Sequence, residues 1–170
     1  MRNIILIGFM GTGKTTVGKI LAKQLNAKFV DTDELIEKQE HMPIPQIFSQ
    51  KGEPYFREVE KKIIKQLSTQ TSMVIAAGGG AVLNRENVAN LRRNGAIICL
   101  SADSDVILKR VQQHQHRPLL NVSDRRKRIE ELLELRLPYY QKAADYIIDT
   151  SELEAVEAAG KIFDIVKGII

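Results

Sequence analysis

Ile4-Ile5-Leu6-Ile7-Gly8-Phe9-Met10-Gly11-Thr12-Gly13-Lys14-Thr15 is the stretch that decides the fold of this chain. Residues 8–15 match G-x-x-x-x-G-K-[ST] at every defined position. The apolar run before them predicts a buried strand, and a helix is expected to begin near Lys14. Glycines at these places let backbone N–H groups converge on phosphate oxygens at a helix N-terminus. The loop therefore predicts binding of ATP, with Lys14 on the β- and γ-phosphates and the Thr15 hydroxyl on Mg²⁺. The predicted nucleotide-binding residues here are Gly11, Thr12, Gly13, Lys14, Thr15 and Thr16.

Similar short apolar runs recur along the chain, and helical patterns lie between them. Continuous apolar runs of this length are typical of strands buried on both faces of a parallel sheet. The alternation of strand and helix predicts an α/β fold of three layers, with five parallel strands and right-handed crossovers, in a single domain over residues 1–170. The predicted strands are 4–7, 27–30, 73–77, 96–100 and 146–148, and the predicted helices are 15–25, 55–67, 129–137 and 153–166.

The composition limits the possible classes of function. With Cys99 as the one cysteine among 170 residues, the chain offers no intrachain disulfide and no zinc cluster, and we expect Cys99 to be buried as a small apolar residue. No signal peptide and no apolar stretch of about 20 residues is found, so we expect a cytoplasmic protein without membrane association. A net charge of +4 suits anionic substrates. The basic run 125–128 follows an expected N-cap at Ser123-Asp124, and we interpret it as a solvated helix face rather than a nucleic-acid site.

A phosphate-binding loop alone does not distinguish a kinase from a switch or a motor. No N-K-x-D sequence for reading a guanine base is present, which disfavours a GTPase switch. The chain is also too short for the additional domains of most motor ATPases. The remaining motifs of the chain must therefore decide the class of function.

Two acidic residues follow the second predicted strand, in Asp31-Thr32-Asp33. The carboxyl ends of parallel strands meet at one edge of a sheet, the edge that also carries the phosphate-binding loop. One acid could serve a metal ion and the other a substrate hydroxyl. The alternative is that one of the two acids, with Asp33 as a candidate, only caps the helix that begins at Glu34-Leu35.

Further candidates lie in Gly52-Glu53-Pro54-Tyr55-Phe56-Arg57 and in the triplet Gly78-Gly79-Gly80 after the third strand. The triplet can expose backbone N–H groups to a ligand, although a flexible turn is the alternative. Arg136 lies near the end of a predicted helix, where an arginine alone would be interpreted as a surface residue. Residues 112–123 have no clear periodicity and include Arg117, which predicts a lid rather than a plain surface loop.

These motifs occur in a characteristic order: the phosphate-binding loop, D-x-D, G-E-x-x-F-R, G-G-G, R-P-L-L and L-R-x-P-x-Y. In this order the chain resembles the shikimate kinase family, whose members have the nucleoside-monophosphate-kinase-like P-loop kinase fold with a lid. The resemblance extends from the phosphate-binding loop through Tyr140. It implies the reaction of ATP with shikimate to give ADP and shikimate 3-phosphate, on the route to chorismate and the aromatic amino acids. It also implies a substrate-binding region at about 32–60 and the lid at about 112–123.

The resemblance assigns roles to individual residues. Asp33 is implied to bind the substrate hydroxyls and act as the catalytic carboxylate, and Asp31 to hold Mg²⁺ through water. Arg117 is implied to close over the transferring phosphate from the lid, and Arg110 to lie against adenine. Phe48 and Phe56 could form apolar walls of the site or belong to the core. The implied catalytic residues are Lys14, Asp33 and Arg117, and the implied shikimate-binding residues are Asp33, Arg57, Gly79, Gly80 and Arg136.

Two segments depart from the pattern of the family. Residues 112–116 read Gln-Gln-His-Gln-His instead of lysine- and arginine-rich text, and we interpret His114 and His116 as solvent-facing rather than metal ligands. The expected adenine-binding stretch 149–152 has no basic residue, which suggests contacts through the backbone. A gluconate kinase, a nucleoside-monophosphate kinase or another small-metabolite kinase is an alternative, and a nucleic-acid-binding P-loop module is a more distant one. We expect a monomer.

Overall fold

The apolar run before the phosphate-binding loop forms the central strand of a five-stranded parallel sheet. The computed structural model describes residues 1–112, 118–120 and 122–168. The sheet has the order β2-β3-β1-β4-β5, and Ile5 of β1 pairs with Ile75 of β3 and Ile97 of β4. All five predicted strands are confirmed to within one residue at each end. The strands are β1 (Asn3–Ile7), β2 (Lys28–Asp31), β3 (Met73–Ala76), β4 (Gly95–Ser101) and β5 (Tyr146–Asp149).

Helices cover both faces of the sheet and make the predicted three layers. Side chains alternate across β1, so that Ile4 and Leu6 pack into one apolar cluster while Ile5 and Ile7 pack into the other. The first cluster includes α1 and α7, and the second includes α3, α4, α5 and α6. The helices among the described residues are α1 (Lys14–Gln24), α2 (Thr32–Glu40), α3 (Ile44–Leu67), α4 (Arg85–Arg93), α5 (Ser104–Gln112), α6 (Arg125–Ala143) and α7 (Ala155–Val166), with 3₁₀ turns at Ala81–Leu83 and Pro118–Leu120.

The expectation that every strand is buried on both faces is wrong for β2 and β5. Lys28 is exposed in β2, and Tyr146 and Ile147 are exposed in β5. These two strands form the edges of the sheet, where the flanking helices give less cover than over β1, β3 and β4.

Helix α3 contains a break that divides the predicted substrate-binding region. Gly52 has φ 83° and ψ 164°, a backbone conformation that glycine adopts readily and that separates two helical segments. The predicted helix at 55–67 is the second of these segments. Helix α6 is also longer than the predicted helix at 129–137. It begins at Arg125 and continues through Pro138 to Ala143.

The basic run 125–128 forms the first turn of α6 after Asp124, the predicted N-cap, whose carboxylate accepts a hydrogen bond from the Lys127 N–H. Arg126 forms ion pairs with Asp105 and Glu130. These anions offset the unfavourable position of cations at a helix N-terminus. Within the described residues, no helix is long and apolar enough to cross a membrane.

Candidate active site

A cleft of about 780 Å³ lies at the carboxyl edge of the sheet, where the phosphate-binding loop leaves β1. Every predicted site residue except Arg117 lines this cleft. Arg117 lies outside the described residues, as do residues 113–116 and 121 of the predicted lid. The structure therefore brings the nucleotide-binding motif and the second group of candidates into one space.

The phosphate-binding loop is curled back on itself between β1 and α1. Gly13 has φ 93° immediately before α1, a left-handed conformation that places the loop N–H groups at the start of the helix. The Lys14 ammonium donates hydrogen bonds to the carbonyls of Gly8 and Phe9, each at 2.9 Å. The Lys14 ammonium thus lies beside the loop. Its positive charge and the N–H groups of the loop together suit an anion.

Thr15 and Asp31 meet at the base of the cleft. The Thr15 hydroxyl donates a hydrogen bond of 2.8 Å to Asp31 Oδ2. Asp31 Oδ1 accepts a hydrogen bond of 3.0 Å from the Asp33 N–H, which makes Asp31 the N-cap of α2. The alternative that one of the two acids caps this helix is therefore confirmed for Asp31 and wrong for Asp33. Both acids line the cleft.

Arg57 is fixed in the cleft by two glutamates on its own helix. Its Nη1 donates to Glu60 Oε2 at 2.9 Å, and its Nε and Nη2 donate to Glu53 Oε1 at 3.2 and 2.9 Å. The Glu60 side chain is only 1% exposed. Burial raises the pKa of its carboxyl to about 7, although the nearby Arg57 charge opposes that rise. Glu60 was not predicted from the sequence, although its i+3 spacing from Arg57 on a helix could have indicated it.

Arg136 is buried, with 3% of its surface exposed, so its interpretation as a surface arginine is wrong. Its guanidinium carbon lies 5.7 Å from the centre of the Phe9 ring. The Arg136 Nε is buried and has no hydrogen-bond partner among the described residues. A buried guanidinium with an unused donor is costly unless an anion completes it, so this position suits an anionic ligand.

Arg110 and the turn after β5 form the end of the cleft that is predicted to bind adenine. Arg110 donates hydrogen bonds to the Thr150 carbonyl at 2.8 Å, the Thr150 hydroxyl at 3.2 Å and the Gly11 carbonyl at 3.4 Å. Thr150 in turn donates to the Thr12 and Ser101 carbonyls. Arg110 thus joins the phosphate-binding loop to the predicted adenine-binding stretch at 149–152.

The two phenylalanines lie between core and cleft. The ring centres of Phe48 and Phe56 are 4.9 Å apart, one on each side of the Gly52 break. Both line the cleft, and both pack on the core cluster beneath α3. The two interpretations of these residues are therefore compatible. Cys99 is buried in β4 as expected, and burial raises its pKa to about 11.

The cleft brings the phosphate-binding loop together with arginine and carboxylate side chains. Known proteins with similar sequences point to the same kind of site. The family model described as shikimate kinase matches residues 10–167. This chain belongs to the shikimate kinase family. It is 51% identical over 162 residues to the shikimate kinase of Thermodesulfovibrio yellowstonii, covering 95% of this chain and 93% of the relative. The shikimate kinase of Caldanaerobacter subterraneus is 50% identical, with 95% and 94% covered.

Solved structures of shikimate kinases have the same fold. The enzyme of Acinetobacter baumannii, in complex with shikimate, superposes with a TM-score of 0.95 at 36% identity, covering 99% of this chain and 94% of that one. The enzyme of Aquifex aeolicus gives a TM-score of 0.84 at 37% identity, with 98% and 96% covered. The predicted family and the predicted P-loop kinase fold are confirmed.

Proposed function

We propose that this protein is a shikimate kinase that transfers the γ-phosphoryl group of ATP to the 3-hydroxyl of shikimate. The products are ADP and shikimate 3-phosphate. The observation that carries the proposal is the cleft itself, in which Arg57, Arg136 and Asp33 lie at the same sheet edge as the phosphate-binding loop. Shikimate combines a carboxylate with hydroxyls, and these side chains match both kinds of group. No observation favours gluconate or a nucleoside monophosphate.

The two arginines would bind the shikimate carboxylate. Arg136 offers a buried guanidinium with an unused Nε donor, and Arg57 is oriented by Glu60 and Glu53. The backbone of Gly79 and Gly80 would complete this part of the site, since both residues line the cleft beside the arginines. Binding the carboxylate at two guanidinium groups would orient the ring and so direct one hydroxyl toward the phosphate.

Asp33 would act as the catalytic carboxylate. As the shikimate hydroxyl oxygen forms its bond to the γ-phosphorus, the bond from that phosphorus to the β–γ bridging oxygen breaks, and ADP leaves with those electrons. The hydroxyl proton would pass to Asp33. Lys14 and the loop N–H groups would stabilise the phosphate charge, with Arg110 at the adenine end and Arg117 assigned to the lid. The remaining nucleotide contacts are assigned to Gly11, Thr12, Gly13, Thr15 and Thr16.

Thr15 and Asp31 fit a magnesium site. A hydroxyl and a carboxylate oxygen, 2.8 Å apart, belong to the hard oxygen donors that Mg²⁺ prefers while it keeps several waters. The ion would neutralise phosphate charge when bound. We assign these roles to one domain over residues 1–170, with a substrate-binding region at about 32–60 and a lid at about 112–123. A monomeric state, a cytoplasmic location and the absence of nucleic-acid and membrane partners stay predictions.

The test is shikimate-dependent release of ADP in a coupled assay with Mg·ATP, run beside gluconate and a nucleoside monophosphate. Asp33→Asn should lower kcat by about 10²- to 10⁴-fold. Arg136→Ala should raise the KM for shikimate by roughly ten- to a hundred-fold, the usual loss for a hydrogen bond to a charged group. Arg93→Ala is the control, because Arg93 is exposed at the end of α4. It lies near the amino ends of the strands, whereas the cleft lies at their carboxyl ends. Turnover with gluconate but not shikimate would contradict the proposal.

A further inference from the structure

Two buried hydroxyl groups form hydrogen bonds with the backbone of the glycine triplet 78–80. The Thr32 hydroxyl oxygen accepts a hydrogen bond from the Gly78 N–H at 2.9 Å. The Tyr140 hydroxyl donates to the Gly79 carbonyl at 2.6 Å. Thr32 is fully buried and Tyr140 is 4% exposed, so water does not compete strongly for either bond. Neither residue has a role in the reaction as proposed above.

Thr32 holds the Ala77–Gly78 peptide through the Gly78 N–H, and Tyr140 holds the Gly79–Gly80 peptide through the Gly79 carbonyl. In the peptide between them, which carries the Gly79 N–H, the Gly78 carbonyl accepts a hydrogen bond of 3.0 Å from the Ala81 N–H. The Gly79 carbonyl and the Gly80 N–H belong to one planar trans peptide, in which they point in opposite directions. The bond from Tyr140 therefore directs the Gly80 N–H away from α6. In the described part of the chain, the N–H groups of Gly79 and Gly80 donate to no protein acceptor. Both residues line the cleft, where a ligand can use these donors.

Arg136 and Tyr140 lie four residues apart on α6 and are both buried, so they share one face of this helix. The Arg136 Nη1 lies 3.6 Å from the position that a Cβ atom on Gly79 would take. One turn of α6 therefore supplies a guanidinium to the cleft and also anchors the neighbouring glycine peptide. Burial raises the pKa of the Tyr140 hydroxyl to about 12, so the group stays a donor at working pH.

We propose that Tyr140 and Thr32 are positioning residues for the shikimate site. Tyr140 orients the Gly80 N–H toward the substrate before it binds, and Thr32 anchors the start of the glycine triplet. The proposal rests on the proposed function. Without these bonds the glycine peptides gain rotational freedom that substrate binding must remove again. Ordering the backbone of one residue corresponds to a factor of roughly five to thirty in an equilibrium constant.

The test compares Tyr140→Phe with Tyr139→Phe in steady-state kinetics. Tyr139 precedes Tyr140 on α6 but is 46% exposed, so it controls for the loss of one hydroxyl from the same helix. Tyr140→Phe should raise the KM for shikimate by roughly five- to thirty-fold and leave the KM for Mg·ATP unchanged. Tyr139→Phe should match the wild type in both constants.

A second pair of variants tests the other anchor. Thr32→Val removes the hydroxyl at nearly constant shape, whereas Thr32→Ser keeps it. The valine variant should show the same selective rise in the KM for shikimate, and the serine variant should largely restore the wild-type value. This pair decides the question if Tyr140→Phe fails to fold.

Three results would overturn the inference. The first is a folded Tyr140→Phe protein with the wild-type KM for shikimate. The second is a parallel rise of both KM values with a lower Tm, which would indicate a structural role only. The third is equal behaviour of Thr32→Val and Thr32→Ser. Absence of shikimate-dependent ADP release in the wild type would instead refute the proposed function, and the inference with it.

Discussion

Replacing Gly80 by alanine should disable the substrate site and leave the fold intact. Gly80 has φ −98° and ψ −2°, a conformation that alanine adopts without strain. A Cβ atom at this position would lie 2.5 Å from Nη2 of Arg57 and 2.7 Å from its Cζ and Nη1. Ordinary van der Waals contact begins at 3.4 Å. The three atoms nearest to the added methyl group all belong to the Arg57 guanidinium, so the methyl group competes first with that side chain.

The magnitude follows from how Arg57 is held. Its guanidinium must retreat by roughly 1 Å, a displacement at which misplacing a positioning group costs about a hundred-fold in rate. This movement also strains the 2.9 Å contacts to Glu60 and Glu53. Because a flexible side chain can yield, the free energy of unfolding should change by less than about 1 kcal/mol. We expect kcat/KM for shikimate to fall by roughly a hundred-fold with little change in the KM for ATP.

The assay is a double-mutant cycle of Gly80→Ala and Arg57→Ala, read out by steady-state kinetics and by calorimetric titration of shikimate. If the methyl group acts through Arg57, Gly80→Ala should add little once the guanidinium has been removed. The control is Gly160→Ala, because no atom lies within 4 Å of the Cβ position of Gly160 in α7. That control should keep full activity and gain about 0.5–1 kcal/mol of stability. Additive losses in the cycle, or wild-type shikimate affinity in Gly80→Ala, would refute this reasoning.

Three further predictions concern protons, magnesium and nucleic acid. Because burial raises the pKa of Glu60 from 4.5 to about 7, the folded protein retains a proton that the unfolded chain loses at lower pH. Urea titrations should show the wild type losing roughly 3 kcal/mol of stability relative to Glu60→Gln as pH rises from 4.5 to 7, and parallel pH curves would contradict the burial argument. Asp31→Asn should raise the Mg²⁺ concentration needed for half-maximal activity by about ten-fold or more, while an unchanged requirement would remove Asp31 from the metal site. Duplex and single-stranded nucleic acid should bind only weakly in a salt titration, since Arg126 is already paired with Asp105 and Glu130; tight, steeply salt-dependent binding would contradict the interpretation of the basic run as a solvated helix face.

The sequence predicts the sheet well because its strands are short apolar runs bounded by polar residues. The sequence predicts less well how far the helices bury each strand, since β2 and β5 have similar apolar runs but are the outer strands of the sheet. The first segment of α3 was not predicted as a helix. Its continuation past Gly52 depends on the packing of Phe48 and Phe56 across the break.

For the candidate site, the phosphate-binding loop could be predicted from its motif alone, because the chemistry is local. The orientation of Arg136 could not, since it depends on how α6 rotates against the 3₁₀ turn at Ala81–Leu83 and the sheet. The same holds for Glu60 and Tyr140, whose partners lie beside them only after the chain has folded. Local sequence carries the ability to bind phosphate, whereas tertiary packing determines which second substrate can approach it.

The position of β1 in the middle of the sheet has a consequence for biosynthesis. This strand is translated before both of its neighbours, β3 and β4, which begin at Met73 and Gly95. The apolar side chains of β1 therefore stay unprotected until translation has passed β4. During that interval the nascent chain is a candidate for chaperone capture and for aggregation. The phosphate-binding loop is thus translated well before the strands that hold it in place.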